Sequence, residues 1–349
     1  MRKITLALVG AVTAIAMAGC SSPNASAPSE ESVAAQDPYL TELYEAAIES
    51  GETSVNGYVP NPAAFDALIE AFEADFPEIS VDVAPLFGPE LEARLQAEDL
   101  AGGFEADFTN VGIAELETFA DRGWLESFVP ETASELEPLY VGEGGYWISP
   151  WLNVYGVAYN SGAISDAPSI TWESLAAEPV SSNVGIANPS VGGFPLTTFL
   201  GHKNGDVDDA WLNQIAGQSP QIFPHASSVV QALSSQQIEV APLMPYTVYF
   251  DAKQKGANID LVFFDDWSPA MFDAMSLFAD SPNADGAKLF TAWTLSESAQ
   301  EVSFEATGRP GTVPGSPAVP GLGEFKVFTP DLLGEEYGQW VAKLTGIFG

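Results

Sequence analysis

One cysteine, two histidines and 11 lysines and arginines are all that 349 residues offer of the side chains from which most catalytic and metal-binding motifs are built. A lone cysteine, Cys20, excludes a disulfide within one molecule. No H-E-x-x-H, C-x-x-C, G-x-S-x-G or G-x-x-x-x-G-K pattern occurs, so the familiar zinc, redox, hydrolase and P-loop chemistries have no foothold. The acidic pairs Asp208-Asp209 and Asp265-Asp266 read as solvated faces, not as acid and base. No resident cofactor or metal is expected. Basic charge is scarce too: 48 Asp and Glu against 11 Lys and Arg leave a formal charge of -37. Such a surface repels phosphate backbones and anionic headgroups, which excludes nucleic acid and leaves membrane contact to a covalent anchor. Salt screens this self-repulsion, so a saline habitat is expected, testable by comparing stability at low and high salt.

What is present begins with a leader. Arg2 and Lys3 precede an apolar run from Leu6 to Ala18, followed by Gly19-Cys20 and a polar stretch. The run is too short to cross a hydrocarbon layer of about 30 Å as a helix, so residues 1–19 read as a signal peptide. Met17-Ala18-Gly19-Cys20 resembles the bacterial lipobox, in which the signal peptide is cut before the cysteine and the thiol takes a diacylglycerol; Cys20 is then the lipid attachment site. Residues 20–36, rich in Ser, Ala, Pro and Glu, cannot bury enough apolar surface to order themselves and read as a tether.

From residue 53 onward, strand and helix periods alternate. Residues 53–59 read as a strand, and Asn61-Pro62 supplies an N-cap and a helix-starting proline. Phe65, Leu68, Ile69, Phe72 and Phe76 then share one helix face. Ile79, Val81 and Val83 alternate with polar residues, residues 89–100 look helical, residues 104–109 form a strand, and Ile113, Leu116 and Phe119 mark a helix capped by Gly123. Residues 151–160 form a long strand with Trp151, Asn153 and Tyr155 on one face. A second alternating series runs from residue 184 to 264, residues 274–278 give a second crossing strand, and helices follow at 283–295, from 296, and at 332–344. The order implies a mainly parallel α/β architecture in two lobes.

The order of segments resembles the extracellular solute-binding proteins of ABC importers, in particular the ferric-iron-binding branch. The resemblance rests on Gly123-Trp124-Leu125, the strand Tyr155 to Asn160, Ile186 to Ser190 before Gly192-Gly193, the helix Val230 to Leu233 feeding Ile238 to Ala241, and Asn283 to Gln300. It implies a two-lobed, type II periplasmic-binding-protein-like fold with two crossing hinge strands. Lobe 1 is expected from 37–152 plus 273–312 and lobe 2 from 153–272 plus 313–349. It also implies a monomer, lipid-anchored on the outer face of the cell membrane or periplasmic, that hands a small-molecule ligand to an ABC permease in the cytoplasmic membrane. Helix starts beyond strand ends are the expected contact points, at Tyr58, Asn61, Asn110, and Ser190 with Gly192 and Gly193. The last group suits a carboxylate, phosphate or phosphonate, although helix capping would use the same atoms. Relatives in the iron branch carry a tyrosine pair; here Tyr246 matches the first, Thr247 replaces the second, and Asn110 stands in place of an iron-ligating Glu. Tyr246 is therefore expected to line a pocket without metal, with ferric iron as the alternative. Tyr58, Trp151, Tyr155 and Trp267 beside Asp265 and Asp266 are suited either to boxing a cation or to core packing, and Arg309 is one of few cations available to an anionic ligand. A secreted lipoprotein hydrolase with an unrecognised site is the rival class.

Overall fold

A computed structural model describes residues 37–177, 180, 181, 183–190 and 192–349. Cys20, the leader and the tether lie outside the described residues, as does Val191. The first half holds α1 (Pro38–Glu49), β1 (Ser54–Val59), α2 (Asp66–Asp75), β2 (Ser80–Pro85), α3 (Gly88–Ala101), β3 (Phe108–Val111), α4 (Ile113–Asp121) and β4 (Leu125–Glu126), then the long β5 (Ile148–Asn160). Next come α5 (Trp172–Ala177), β6 (Gly185–Ala187), α6 (Gly193–Asn204), α7 (Asp209–Gly217), β7 (Gln221–Phe223), α8 (Ala226–Ser234), β8 (Val240–Pro245), α9 (Tyr246–Gln254) and β9 (Ile259–Val262). The chain ends with β10 (Ser268–Phe278), α10 (Ala284–Trp293), α11 (Glu297–Thr307), β11 (Phe325–Val327) and α12 (Glu335–Phe348). Among the described residues no helix is long and apolar enough to cross a membrane.

The main sheet runs β2-β1-β3-β10-β5-β8, with β4 and β11 also on β10, and β9 also on β5. β1 is parallel to β2 and β3, as expected where helices connect successive strands. But β10 is antiparallel to β3, β4 and β5, and β5 to β8 and β9, so the sheet is mixed and not the mainly parallel one expected. Two strands serve both ends of the sheet. β5 pairs with β10 up to Val154 and with β8 and β9 from Tyr155 on, while β10 meets β11 at Ser268 to Ala270 and β3 at Ala274 to Leu277. These are the two expected crossing strands, each longer than its sequence pattern suggested. Pro150 and Pro269 interrupt the apolar run. The Pro150 carbonyl is satisfied from outside the sheet by the Thr312 N–H.

Aromatic packing fills the space on both sides of the crossing. Phe72, Phe108, Phe290 and Trp293 interlock under β1 and β3, with ring centroids 5.1 Å apart for Phe72–Phe290 and 5.2 Å for Phe108–Phe290. Beyond it, Trp172 stacks on Phe264 at 4.8 Å, and Phe199 packs on Trp340 of α12. The third strand begins later than expected because the backbone N–H of Glu105 is drawn to the buried carboxylate of Glu98 instead of the sheet.

Asn61 does not cap a helix through its side chain. A single 3-10 turn, Pro62–Ala64, intervenes, and α2 starts only at Asp66. The proline fixes φ for the turn, and Phe65 and Phe72 still reach the core from one face.

Candidate functional site

The expected contact residues separate into three places. Tyr155, Gly192 and Gly193 come together around a cavity of about 180 Å³, whose wall also includes Phe194, His225, Val229, Leu243 and Pro245. Three helix starts meet there: the first residues of α6 and α8 line the cavity, as do the N-caps of α6, α8 and α9, which are Gly192, His225 and Pro245. No N-cap side chain is hydrogen-bonded to any of these helices. The leading N–H groups of a helix have no intrahelical partner, and the helix dipole adds positive potential at that end. With largely apolar walls around them, these dipoles act at low screening.

Local geometry explains why glycine occupies two of these positions. Gly192 adopts φ 71°, ψ -145°, a backbone region nearly closed to residues with a Cβ. At Gly193 a Cβ would stand 2.5 Å from Cε1 and 2.7 Å from the hydroxyl of Tyr155, so only glycine lets the helix start approach the phenol. The Tyr155 ring is buried, and its hydroxyl has no hydrogen-bond partner among the described residues. Burial first, and then the nearby charge of Asp273, push its pKa upward, which keeps the phenol a proton donor at neutral pH. Leu243 lines the same cavity at φ 54° in β8, a left-handed conformation that is strained for a non-glycine residue. Ser190 is placed differently: its hydroxyl meets the Thr345 hydroxyl of α12 at 2.8 Å, and its N–H donates to Asn188 Oδ1.

The second place is the face of the crossing strands. Trp151 is fully buried, and β5 residue 151 bridges Gly311, so the chain after α11 delivers Arg309 onto it. The guanidinium carbon of Arg309 lies 5.4 Å over Trp151 and 5.5 Å over Phe65, and Nε stands 3.1 Å from Asp273 Oδ2. Asn110 Nδ2 donates to Asp273 Oδ1 at 2.7 Å and to the Ala274 carbonyl at 2.8 Å. Sequence reasoning singled out Trp151, Asn110 and Arg309 but missed the carboxylate that unites them. An acidic residue inside an otherwise apolar strand was its one signal.

The remaining candidates stand apart from both. The Tyr58 hydroxyl donates to Glu98, and burial together with that carboxylate pushes its pKa up to about 12. Tyr246 packs among Tyr249, Phe250 and Phe263, and its phenol pKa is raised by burial. Trp267 sits against Trp172, gives its indole N–H to Asp206, and has Lys326 over its ring. Asp265 accepts from the Ser169 hydroxyl, and Asp266 from the N–H groups of Trp172 and Trp267. Trp267 is buried in this packing. Asn61 is exposed. Among the described residues no group of three or more His, Cys, Asp or Glu is placed to hold a metal ion.

A recess lined by helix starts, next to strands shared by two ends of one sheet, is the arrangement of a two-lobed binding protein. Comparison of families agrees: residues 67–326 match the bacterial extracellular solute-binding proteins, and the chain belongs to that family. No curated protein matches the sequence. Among solved structures, iron-bound HitA from Pseudomonas aeruginosa is 20% identical, with 84% of this chain and 99% of that one covered at a TM-score of 0.70. The substrate binding protein of an ABC transporter from Agrobacterium tumefaciens is 11% identical, with coverage of 85% and 95% and a TM-score of 0.72. An open ferric iron-binding protein A from Mannheimia haemolytica is 14% identical, with coverage of 84% and 97% and a TM-score of 0.66. These likenesses establish the two-lobed type II fold.

Proposed function

We propose that this solute-binding protein is the capturing component of an ABC importer and that its solute carries an anionic head group held in the cavity beside Tyr155. The observation that carries the reading is the meeting of three helix starts, none capped by a side chain, with a buried phenol that has no partner among the described residues. An anion there accepts from backbone N–H groups and from the phenol without any lysine or arginine. Such a site suits a chain with so few cations. Lobe 1, 37–152 plus 273–312, and lobe 2, 153–272 plus 313–349, hinge on β5 and β10 and close on the solute. A diacylglycerol on Cys20 and the tether to residue 36 hold the monomer near its permease on the outer face of the membrane.

A thermal-shift panel of small carboxylates, phosphonates and inorganic phosphate tests the head-group reading. At least one class should raise Tm in a concentration-dependent way, because a ligand that binds only the folded state stabilises it. A panel without any shift would sink the reading. Recovery of the bound compound unchanged, by mass spectrometry, separates it from the hydrolase alternative.

Ferric iron is a second reading, favoured by the iron-binding relatives and by the Tyr246–Tyr249 pair, whose ring centroids are 5.5 Å apart. Burial opposes it: both phenols are pushed upward, Tyr249 to about 12, which disfavours the phenolates that ferric iron needs. A visible tyrosinate-to-iron band on adding a ferric salt would establish it.

A further inference from the structure

The crossing strands carry a polar spot that the cavity itself does not include. Each is buried throughout except at one position, Asn153 on β5 and Asp273 on β10. Register sets Asp273 opposite Trp151 and Met271 opposite Asn153. Both polar residues therefore project from the sheet face that carries Tyr155. A carboxylate on a buried strand is costly unless it is paired. Asp273 is heavily supported: Asn110 holds one oxygen, and Arg309 holds the other while wedged over Trp151 and Phe65. The Asp273 side chain nevertheless stays 17% exposed, whereas that of Arg309 is 8% exposed. A carboxylate accepts at about four lone-pair positions, and these two partners leave capacity on both oxygens. The scaffold thus fixes an acceptor facing solvent and engages Arg309 through Nε, leaving its Nη1 buried without a partner among the described residues.

Resting on the head-group reading above, we propose that Asp273, positioned by Asn110 and Arg309, receives the ammonium group of a short zwitterionic solute whose anionic head lies at the three helix starts. The solute class is an amino carboxylate or amino phosphonate with its charges separated by a few carbons. Overall charge agrees with this. A bare anion approaches a chain of formal charge -37 against repulsion, which an ammonium group on the solute reduces. Asp273 is then the residue that distinguishes an amine-bearing solute from its amine-free counterpart.

Matched pairs test the proposal on the full chain by isothermal titration calorimetry: ω-amino acids from glycine to 5-aminopentanoate against the corresponding alkyl carboxylates, and aminoalkyl phosphonates against alkyl phosphonates. At one chain length the amine should improve Kd at least tenfold. The better of the two series identifies the head group. Asp273→Asn should abolish that preference. The wild-type pairs need no variant, so a D273N chain that fails to fold leaves the test intact. Equal affinity within every pair, with anions still bound, overturns this inference and leaves the head-group reading standing. Absence of binding by any anion overturns both.

Discussion

Replacing Tyr155 with Phe separates a binding phenol from a structural one, because the two roles predict opposite patterns. The change removes one oxygen and keeps the ring, which is 5% exposed and packed against the start of α6. No described protein group accepts from or donates to that hydroxyl, so folding loses no hydrogen bond. Tm should stay within about 2 °C of wild type, since about 1 kcal/mol corresponds to roughly 2–4 °C in a chain of this size class. Binding should respond strongly. A hydrogen bond to a charged group contributes about 1.5–3 kcal/mol, which is roughly a 10- to 150-fold rise in Kd. The assay is calorimetric titration with the anion that gives the largest thermal shift on the wild-type chain, alongside a melt without ligand. An unchanged Kd would refute the placement of the anion beside Tyr155. A drop of more than about 6 °C in the ligand-free melt would instead show that the hydroxyl has an undetected structural partner.

Three further outcomes follow from the same reasoning. Arg309→Met keeps the apolar fill over Trp151 and Phe65 but strands the Asp273 carboxylate with Asn110 alone; breaking a buried pair costs about 3–5 kcal/mol, to be read in a urea melt, and a loss under about 1 kcal/mol would contradict the assigned role. Glu115, whose Oε1 accepts from Gly88 N–H, has its pKa raised first of all by burial. Its protonated form is therefore favoured in the fold, and the stability tied to it is present below the ordinary carboxylate range and lost as pH rises through the raised value. Glu115→Gln should accordingly raise Tm at pH 7 and show a shrinking gain as pH falls toward 4, and a gain independent of pH would disprove the assignment. Finally, Tm of the unmodified chain should climb as KCl goes from about 0.05 to 1 M, where the screening length shortens to roughly 3 Å; a flat curve would show that self-repulsion does not limit stability.

How far the sequence could be read depended on whether a feature repeats along the chain or arises only on folding. Helix faces such as Phe65, Leu68 and Phe72, and strand alternation at Val81 and Val83, recur at fixed spacing and were legible because burial acts on every turn or pleat. The full length of β10 was not, since Pro269 and Asp273 break its apolar run, and only the partners β11 and β3 show why the strand continues through them. Candidate site residues divide in the same way. Gly192 and Gly193 were visible as a glycine pair before a helix, a local pattern. His225 before α8, and Leu243 with Pro245 in β8, reach the same cavity from two other segments, and no spacing in the chain connects them with the glycine pair. Asp273 was hidden for a further reason: an acidic residue flanked by Phe272 and Ala274 looks like a solvated defect until Asn110, 163 positions earlier, and Arg309 are seen to grip it. A binding protein concentrates its specificity in such long-range meetings, because its lobes are joined by crossing strands and its solute lies where distant segments converge. The fold was therefore easier to read than the solute, and the residues proposed to select the solute are the ones that depart from the periodic patterns around them.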